Sequence, residues 1–109
     1  MSATLRNVVC FIVCAALLAV RATAQSPSYE RALAAYQAGD YATARSEWLT
    51  ALDDESIDRA AVLYDLGNVA VREKHPLQAA AWYTASLRLA PRDAEARHKL
   101  GLALASQGK

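Results

Sequence analysis

The fold of this chain is decided by residues 60–93, which read AAVLYDLGNVAVREKHPLQAAAWYTASLRLAPRD. In this stretch apolar residues recur at helical spacing on both sides of a Lys-His-Pro break, which predicts two helices joined by a short turn. The same skeleton of glycine, aromatic and alanine residues precedes the stretch and begins again after it, at a period of about 34 residues. The sequence therefore predicts an all-α solenoid whose helical hairpins bury their apolar faces against each other.

Capping and breaking residues divide the chain into five predicted helices. Ser26 before Pro27 is typical of a helix start, and Gly39 can end the first helix in the left-handed conformation. Pro91 stops the fourth helix, and Asp93 is the expected N-cap of the fifth. The predicted helices cover about residues 27–37, 41–52, 59–72, 77–89 and 93–107.

The first 24 residues have the composition of a targeting segment. Arg6 precedes an apolar run over residues 8–20, and an Ala-x-Ala site ends at Ala24, so cleavage would leave Gln25 as the new N-terminus. The run is short for a membrane span, which needs about 20 residues. We expect a protein exported to the bacterial periplasm, and the alternative is an inner-membrane protein anchored by an uncleaved leader.

Composition excludes several classes of function for the part after the leader. Both cysteines, Cys10 and Cys14, lie in the leader, so the remainder would have no disulfide and no thiol chemistry. Two of the 12 Lys and Arg residues also lie there, which leaves 10 against 11 acidic residues. This near-balance provides no basic footprint for nucleic acid.

The repeat pattern resembles the tetratricopeptide repeat, whose unit places Leu-Gly, alanine, an aromatic residue and proline at fixed positions of two helices. In the central unit these positions hold Leu63, Leu66-Gly67, Ala79, Tyr83 and Pro91. The preceding unit carries Gly39, Tyr41, Ala44, Trp48 and Ala51, and the following one carries Leu100-Gly101 and Gly108.

The resemblance implies a tetratricopeptide-type helix–turn–helix solenoid of two repeats and a C-terminal closing helix. Gly67 and Ala79 are expected where two helices cross, and Trp48 and Tyr83 are expected to fill the space between units. The predicted segments are a leader at 1–24 and a repeat domain at 25–109, with repeats at 25–59 and 60–93 and a closing helix at 94–109.

A narrower similarity links the chain to the membrane-associated repeat proteins of bacterial Bat (aerotolerance) operons. It is carried by the leader and by residues 36–41, 63–68 and 87–93. Those proteins often continue into membrane spans, so the chain is expected to be a truncated or minimal relative.

The resemblance also implies a concave groove lined by the first helix of each unit. Tyrosine and arginine are frequent at binding hot spots, and an asparagine side chain can pair with a peptide backbone. The alternative for each candidate is an ordinary surface residue of the scaffold. The predicted partner-groove residues are Tyr29, Leu33, Tyr36, Tyr64, Asn68, Arg72, His98 and Leu102.

Some repeats of this family hold a C-terminal carboxylate in a clamp of lysine, asparagine and arginine. Asn68 fits that clamp, but the remaining clamp positions do not complete it, which argues against a chaperone-tail ligand. Those positions carry Tyr29, Leu33, Glu95 and Lys99. Trp48 and Trp82 are expected to pack in the core rather than to bind a ligand.

No catalytic, cofactor-binding or metal-binding pattern is predicted. The acidic turn over residues 53–58 lacks the glycine and the regular spacing of a calcium loop, and His75 and His98 have no partner at ligand spacing. We therefore expect a non-enzymatic adaptor that binds a protein or peptide. The alternative is a membrane-anchored assembly module that associates with itself or with membrane proteins through its repeat ends.

Overall fold

The computed structural model describes residues 26–107, which form five helices and no strand. The helices are α1 (Pro27–Gln37), α2 (Tyr41–Ala51), α3 (Arg59–Arg72), α4 (Pro76–Leu89) and α5 (Ala94–Ser106). Each helix packs against the next one in the chain, so α1–α2 and α3–α4 are hairpins and α5 closes on α4. The predicted all-α solenoid is confirmed, with α2 ending one residue earlier than expected and α4 starting one residue earlier, at Pro76.

Side-chain caps fix the start of four of the described helices. The side chains that accept a hydrogen bond from the backbone N–H three residues further on are those of Ser26, Asp40, Asp58 and Asp93. Each bond satisfies a donor that has no partner within its helix. Helix α4 starts differently, because His75 makes no capping bond and Pro76 fills the first helical position, where no N–H is needed.

The turns within the two hairpins both use a residue with positive φ. Gly39 joins α1 to α2 at φ 81°, as predicted, and Lys74 joins α3 to α4 at φ 63°. Each residue directly precedes the N-cap of the following helix. In the second hairpin a lysine therefore adopts the left-handed conformation that glycine adopts in the first. The side chain of lysine makes this conformation sterically unfavourable, whereas glycine has no such penalty.

Two apolar clusters lie along the solenoid. The first surrounds Trp48, which is 1% exposed, and the second surrounds Tyr83, which is fully buried. Trp82 is half-buried and packs against both clusters. The predicted packing role of Trp48 is confirmed, and Trp82 links the two cores. Leu104 on α5 is 53% exposed, because no described helix covers that side of α5.

Gly67 lies where α3 and α4 cross. A Cβ atom at this position would lie 2.4 Å from Cε1 of Tyr83, which is far inside van der Waals contact. The glycine therefore lets the aromatic ring rest directly on the α3 backbone, as the repeat pattern predicted.

No helix among residues 26–107 is both long enough and apolar enough to cross a membrane. The predicted leader, its cleavage site, both cysteines and Gly108 lie outside the described residues.

Candidate binding groove

Helices α1, α3 and α5 lie side by side and are joined by tyrosine–carboxylate hydrogen bonds. Tyr29 Oη on α1 donates to Asp65 Oδ2 on α3 at 3.1 Å. One repeat later, Tyr64 Oη on α3 donates to Glu95 Oε1 on α5 at 2.8 Å. Two of the predicted groove residues, Tyr29 and Tyr64, therefore use their hydroxyl groups to connect successive repeats.

Burial and the neighbouring carboxylates raise the pKa values of these two hydroxyl groups above that of an ordinary tyrosine. Partial burial and the nearby Asp65 raise the pKa of Tyr29 to about 12, and partial burial and Glu95 raise the pKa of Tyr64 to about 12. Burial also raises the pKa of the Asp65 carboxyl to about 6, although the bond from Tyr29 acts in the opposite direction. Both tyrosines are thus constant hydrogen-bond donors at neutral pH.

A pocket of about 340 Å³ opens between α1, the C-terminal end of α3 with the turn after it, and the middle of α5. Arg72 Nε donates to Tyr36 Oη at 3.3 Å, and this is the only hydrogen bond of Arg72 to another described residue. Asn68 Oδ1 accepts from Tyr83 Oη at 2.7 Å, which fixes the orientation of its amide. The residues that line the pocket are Tyr36, Asn68, Val71, Arg72, Lys74 and Lys99.

A second, more apolar pocket of about 540 Å³ continues from the first one. It shares Val71, Lys74 and Lys99 with the first pocket and adds Pro76, Leu102, Ala103 and Ser106. We call the two pockets together the groove site. Aliphatic side chains form its floor. Among them, Val71 is 48% exposed and Leu102 is 56% exposed.

The groove site carries three cations and no acidic side chain. Arg72, Lys74 and Lys99 take no part in the ion pairs between described residues, which join Arg31 to Glu47 and Arg45 to Glu73. The Lys99 ammonium lies 5.9 Å from the ring centroid of Tyr64, so its position is supported by a cation–π contact. The site is therefore positively charged although acidic residues slightly outnumber basic ones in the described part of the chain.

The predicted groove residues divide into three groups. Four of them line the groove site, namely Tyr36, Asn68, Arg72 and Leu102. Tyr29 and Tyr64 instead belong to the tyrosine–carboxylate contacts between repeats, Tyr29–Asp65 and Tyr64–Glu95, which we call the seams. Leu33 and His98 are exposed but line neither pocket.

Two cations of the site were not predicted to bind a partner. Lys74 follows α3 in the turn, and Lys99 lies one helical turn before Ala103 on α5. The available signal for Lys74 was its place in the turn that follows α3, two residues after Arg72, because a residue there must share that end of the helix with Arg72.

Among residues 26–107, no group of three or more His, Cys, Asp or Glu side chains is placed to hold a metal ion.

The helical hairpins, the stacked odd-numbered helices and the open groove define the class of the protein as a helix–turn–helix repeat solenoid.

The tetratricopeptide repeat family model matches the chain in two overlapping regions, at residues 29–92 and 64–109. The chain belongs to the tetratricopeptide repeat family. A search of the curated proteins finds no significant match. Members of the family are typically non-catalytic modules, and such repeats indicate a scaffold for protein–protein interaction.

Proposed function

We propose that this chain is an exported, non-enzymatic adaptor that binds a segment of another protein in the groove site. The observation that carries the proposal is the meeting of Tyr36, Asn68, Arg72 and Leu102 around two connected pockets. An aliphatic floor with a few placed polar groups is the usual composition of a binding site. The protein-interaction role of the family supports the same proposal.

The polar groups of the groove site are oriented before a partner arrives. Tyr36 holds the Arg72 guanidinium, and Tyr83 holds the Asn68 amide. Because these side chains are positioned on helices and already hydrogen-bonded, binding orders few additional groups and loses less conformational entropy.

Site-specific photocrosslinking in the native cell tests this proposal. A photoreactive residue at Val71, in the groove site, should form adducts with a discrete partner, and Arg72→Ala should abolish them. The matched control is Ala81, which is exposed on α4 outside both pockets. Equal adducts from positions 71 and 81, or none from position 71, would contradict groove binding.

Export is proposed from the leader alone. The N-terminal residue and the location of the protein from its native cell test this part. A chain that begins at Gln25 in the soluble periplasm supports a free adaptor. An intact Met1 or Ser2 in the inner membrane would overturn cleavage and favour the anchored alternative.

A second candidate function is self-association through the end of the solenoid. It is favoured by the outer side of α5, where Gly101 and Leu104 are exposed and no described residue would contact a Cβ atom at Gly101. Light scattering of the full-length chain and of Leu104→Glu distinguishes the candidates. A dimer that Leu104→Glu dissociates supports assembly, and a monomer in both cases excludes it.

A further inference from the structure

We infer that the groove site takes an acidic internal segment of a partner protein, in which an aliphatic side chain is flanked by aspartate or glutamate residues. This inference rests on the proposed groove binding and names the chemistry of its ligand. It follows from the charge of the site, the shape of its floor and the backbone of Lys74.

The charge of the site requires negative groups on the ligand. Arg72, Lys74 and Lys99 line connected pockets without an acidic side chain among them. The nearby Glu73 is paired with Arg45, and Glu95 accepts a hydrogen bond from Tyr64, so each of these carboxylates already has a partner outside the groove site. Three cations around one opening favour a partner with several carboxylates and disfavour a basic one.

The floor of the site requires an apolar group between those carboxylates. The pocket of about 540 Å³ has a predominantly apolar surface formed by Val71, Pro76, Leu102 and Ala103. A leucine, isoleucine or methionine side chain would fill part of it and bury the exposed Leu102. Nucleic acid fits less well, because single strands bind to platforms of several stacked aromatic residues, and the two pockets are lined by a single aromatic residue, Tyr36, whose hydroxyl accepts a hydrogen bond from Arg72.

The backbone conformation of Lys74 favours a role for this residue at the site. Lys74 lies at φ 63° and Gly39 lies at φ 81° in the equivalent turn of the first hairpin. A non-glycine residue in this region is strained, and such strain collects at binding sites. Lys74 lines both pockets, which gives its side chain a use that the turn itself does not provide.

The negative groups are assigned to side chains rather than to a chain terminus. Two of the positions at which the family clamps a terminal carboxylate, Asn68 and Lys99, line the groove site. Two others carry Tyr29 and Leu33, which line neither pocket and supply no cation, so the clamp for a chain terminus is incomplete. In a stretch such as Asp-Glu-Leu-Asp-Glu within a longer segment, the carboxylates would pair with the cations of the site and the leucine would pack on its aliphatic floor.

Selection from a random library of internal peptides tests the inference. Twelve-residue peptides without a free C-terminus, displayed on phage, are selected on the immobilised full-length chain and sequenced. We expect aspartate and glutamate to be enriched beside a central leucine, isoleucine or methionine. The best peptide is then synthesised with blocked ends, and its Kd is measured by fluorescence anisotropy.

Matched variants separate the site from general electrostatic attraction. Removing two cations of the site in Arg72→Gln/Lys99→Gln should raise Kd about 10-fold or more and weaken its salt dependence. The control Arg88→Gln/Arg92→Gln removes two exposed cations that line neither pocket and should leave Kd within about 2-fold.

Lys74→Gly removes the third cation without harming the fold. Glycine relieves the positive φ, so the melting temperature should stay the same or rise, while Kd should rise about 3-fold or more. Binding lost without stability lost cannot be attributed to unfolding.

The outcomes distinguish the inference from the function on which it rests. Enrichment of neutral or basic peptides that still require Leu102 would overturn the acidic ligand and leave groove binding standing. Failure to enrich any peptide, or binding insensitive to both Leu102→Asp and Arg72→Gln/Lys99→Gln, would overturn both. If an all-glutamate peptide binds as tightly as the selected peptide, the central aliphatic residue is not required. That result would overturn this part of the inference and show that the site acts only as a charged patch.

Discussion

Gly67 and Gly101 occupy the same place in two successive repeats, yet the structure uses only one of them. At Gly67 a Cβ atom would collide with the ring of Tyr83, and the glycine is buried. At Gly101 a Cβ atom would meet nothing within 4 Å, and the glycine is exposed. The difference comes from the neighbour, because α4 covers α3 whereas no described helix covers the corresponding side of α5.

This comparison shows that a repeat residue has its structural role only when the next element is present. The inner side of α5 is buried at Ala96 and Ala103, in the same way that α3 is buried at Val62 and Val69. Its outer side carries the repeat glycine, Gly101, but no aromatic ring lies against it as Tyr83 lies against Gly67. The α3–α4 hairpin should therefore be sensitive to substitution where α5 is tolerant.

The largest expected effect is at the ring that covers Gly67. Tyr83→Ala removes a fully buried aromatic side chain and its bond to Asn68, so we expect about 4 kcal/mol of destabilisation. Leu104→Ala, on the outer side of α5, should cost less than about 0.5 kcal/mol. Urea unfolding of the full-length chain measures both, and similar losses would mean that α5 is covered in solution.

The two glycines provide the second test, with effects of opposite sign. Gly67→Ala should destabilise by about 2 kcal/mol, because the added methyl group displaces Tyr83. Gly101→Ala should stabilise by about 0.5–1 kcal/mol, since alanine is the better residue inside an exposed helix. A destabilising Gly101→Ala would show that a partner occupies the space beside it.

The third test compares the two tyrosine–carboxylate seams by their pH dependence. Because the Asp65 carboxyl has its pKa raised from 3.8 to about 6, the folded chain binds a proton in this range that the unfolded chain does not. Stability should therefore rise by about 1 kcal/mol as the pH falls from 7 to 5, allowing for solvent screening of a partly exposed group.

The matched variants for this test are Asp65→Asn and Glu95→Gln. Asp65→Asn should remove the gain in stability between pH 7 and pH 5, and Glu95→Gln should preserve it. Thermal melts at the two pH values measure the difference, and a gain that survives Asp65→Asn would assign the pH dependence to another group.

The smallest expected effect is at Ser86, a polar residue that is 1% exposed on α4. Its hydroxyl donates to the backbone oxygen of Ala60 at 2.8 Å and so connects α4 to the start of α3. Ser86→Ala should cost about 0.5–1 kcal/mol, because the smaller alanine side chain fits the space but the hydrogen bond is lost. Thr84→Ala is the control and should be close to neutral, because Thr84 is exposed and its hydroxyl donates at 2.7 Å to Ala80 O within α4 rather than to another helix.

The helices and the core were predictable because they depend on local chemistry. Capping residues such as Asp93 and the glycine at position 39 mark helix ends within one residue. The packing roles of Trp48, Gly67 and Tyr83 were implied by the resemblance to the tetratricopeptide repeat, whose pattern places glycine and aromatic residues at these positions.

The candidate site was less predictable because it depends on how repeats stack. Tyr29 and Asp65 are 36 residues apart, and their bond decides that Tyr29 belongs to the seam rather than to the groove site. The positive φ of Lys74 and the exposure of Leu104 likewise depend on neighbours that spacing does not reveal. The match of the chain to the Bat-operon proteins stays a prediction.

The central claim is that partners bind in the groove site, and NMR of the labelled full-length chain with the selected acidic peptide tests it most directly. We predict that the amide shift changes concentrate at Val71, Arg72, Lys99 and Leu102 and saturate with the Kd from anisotropy. Shift changes concentrated on the exposed side of α4, at Ala81 and Arg88, would contradict the claim.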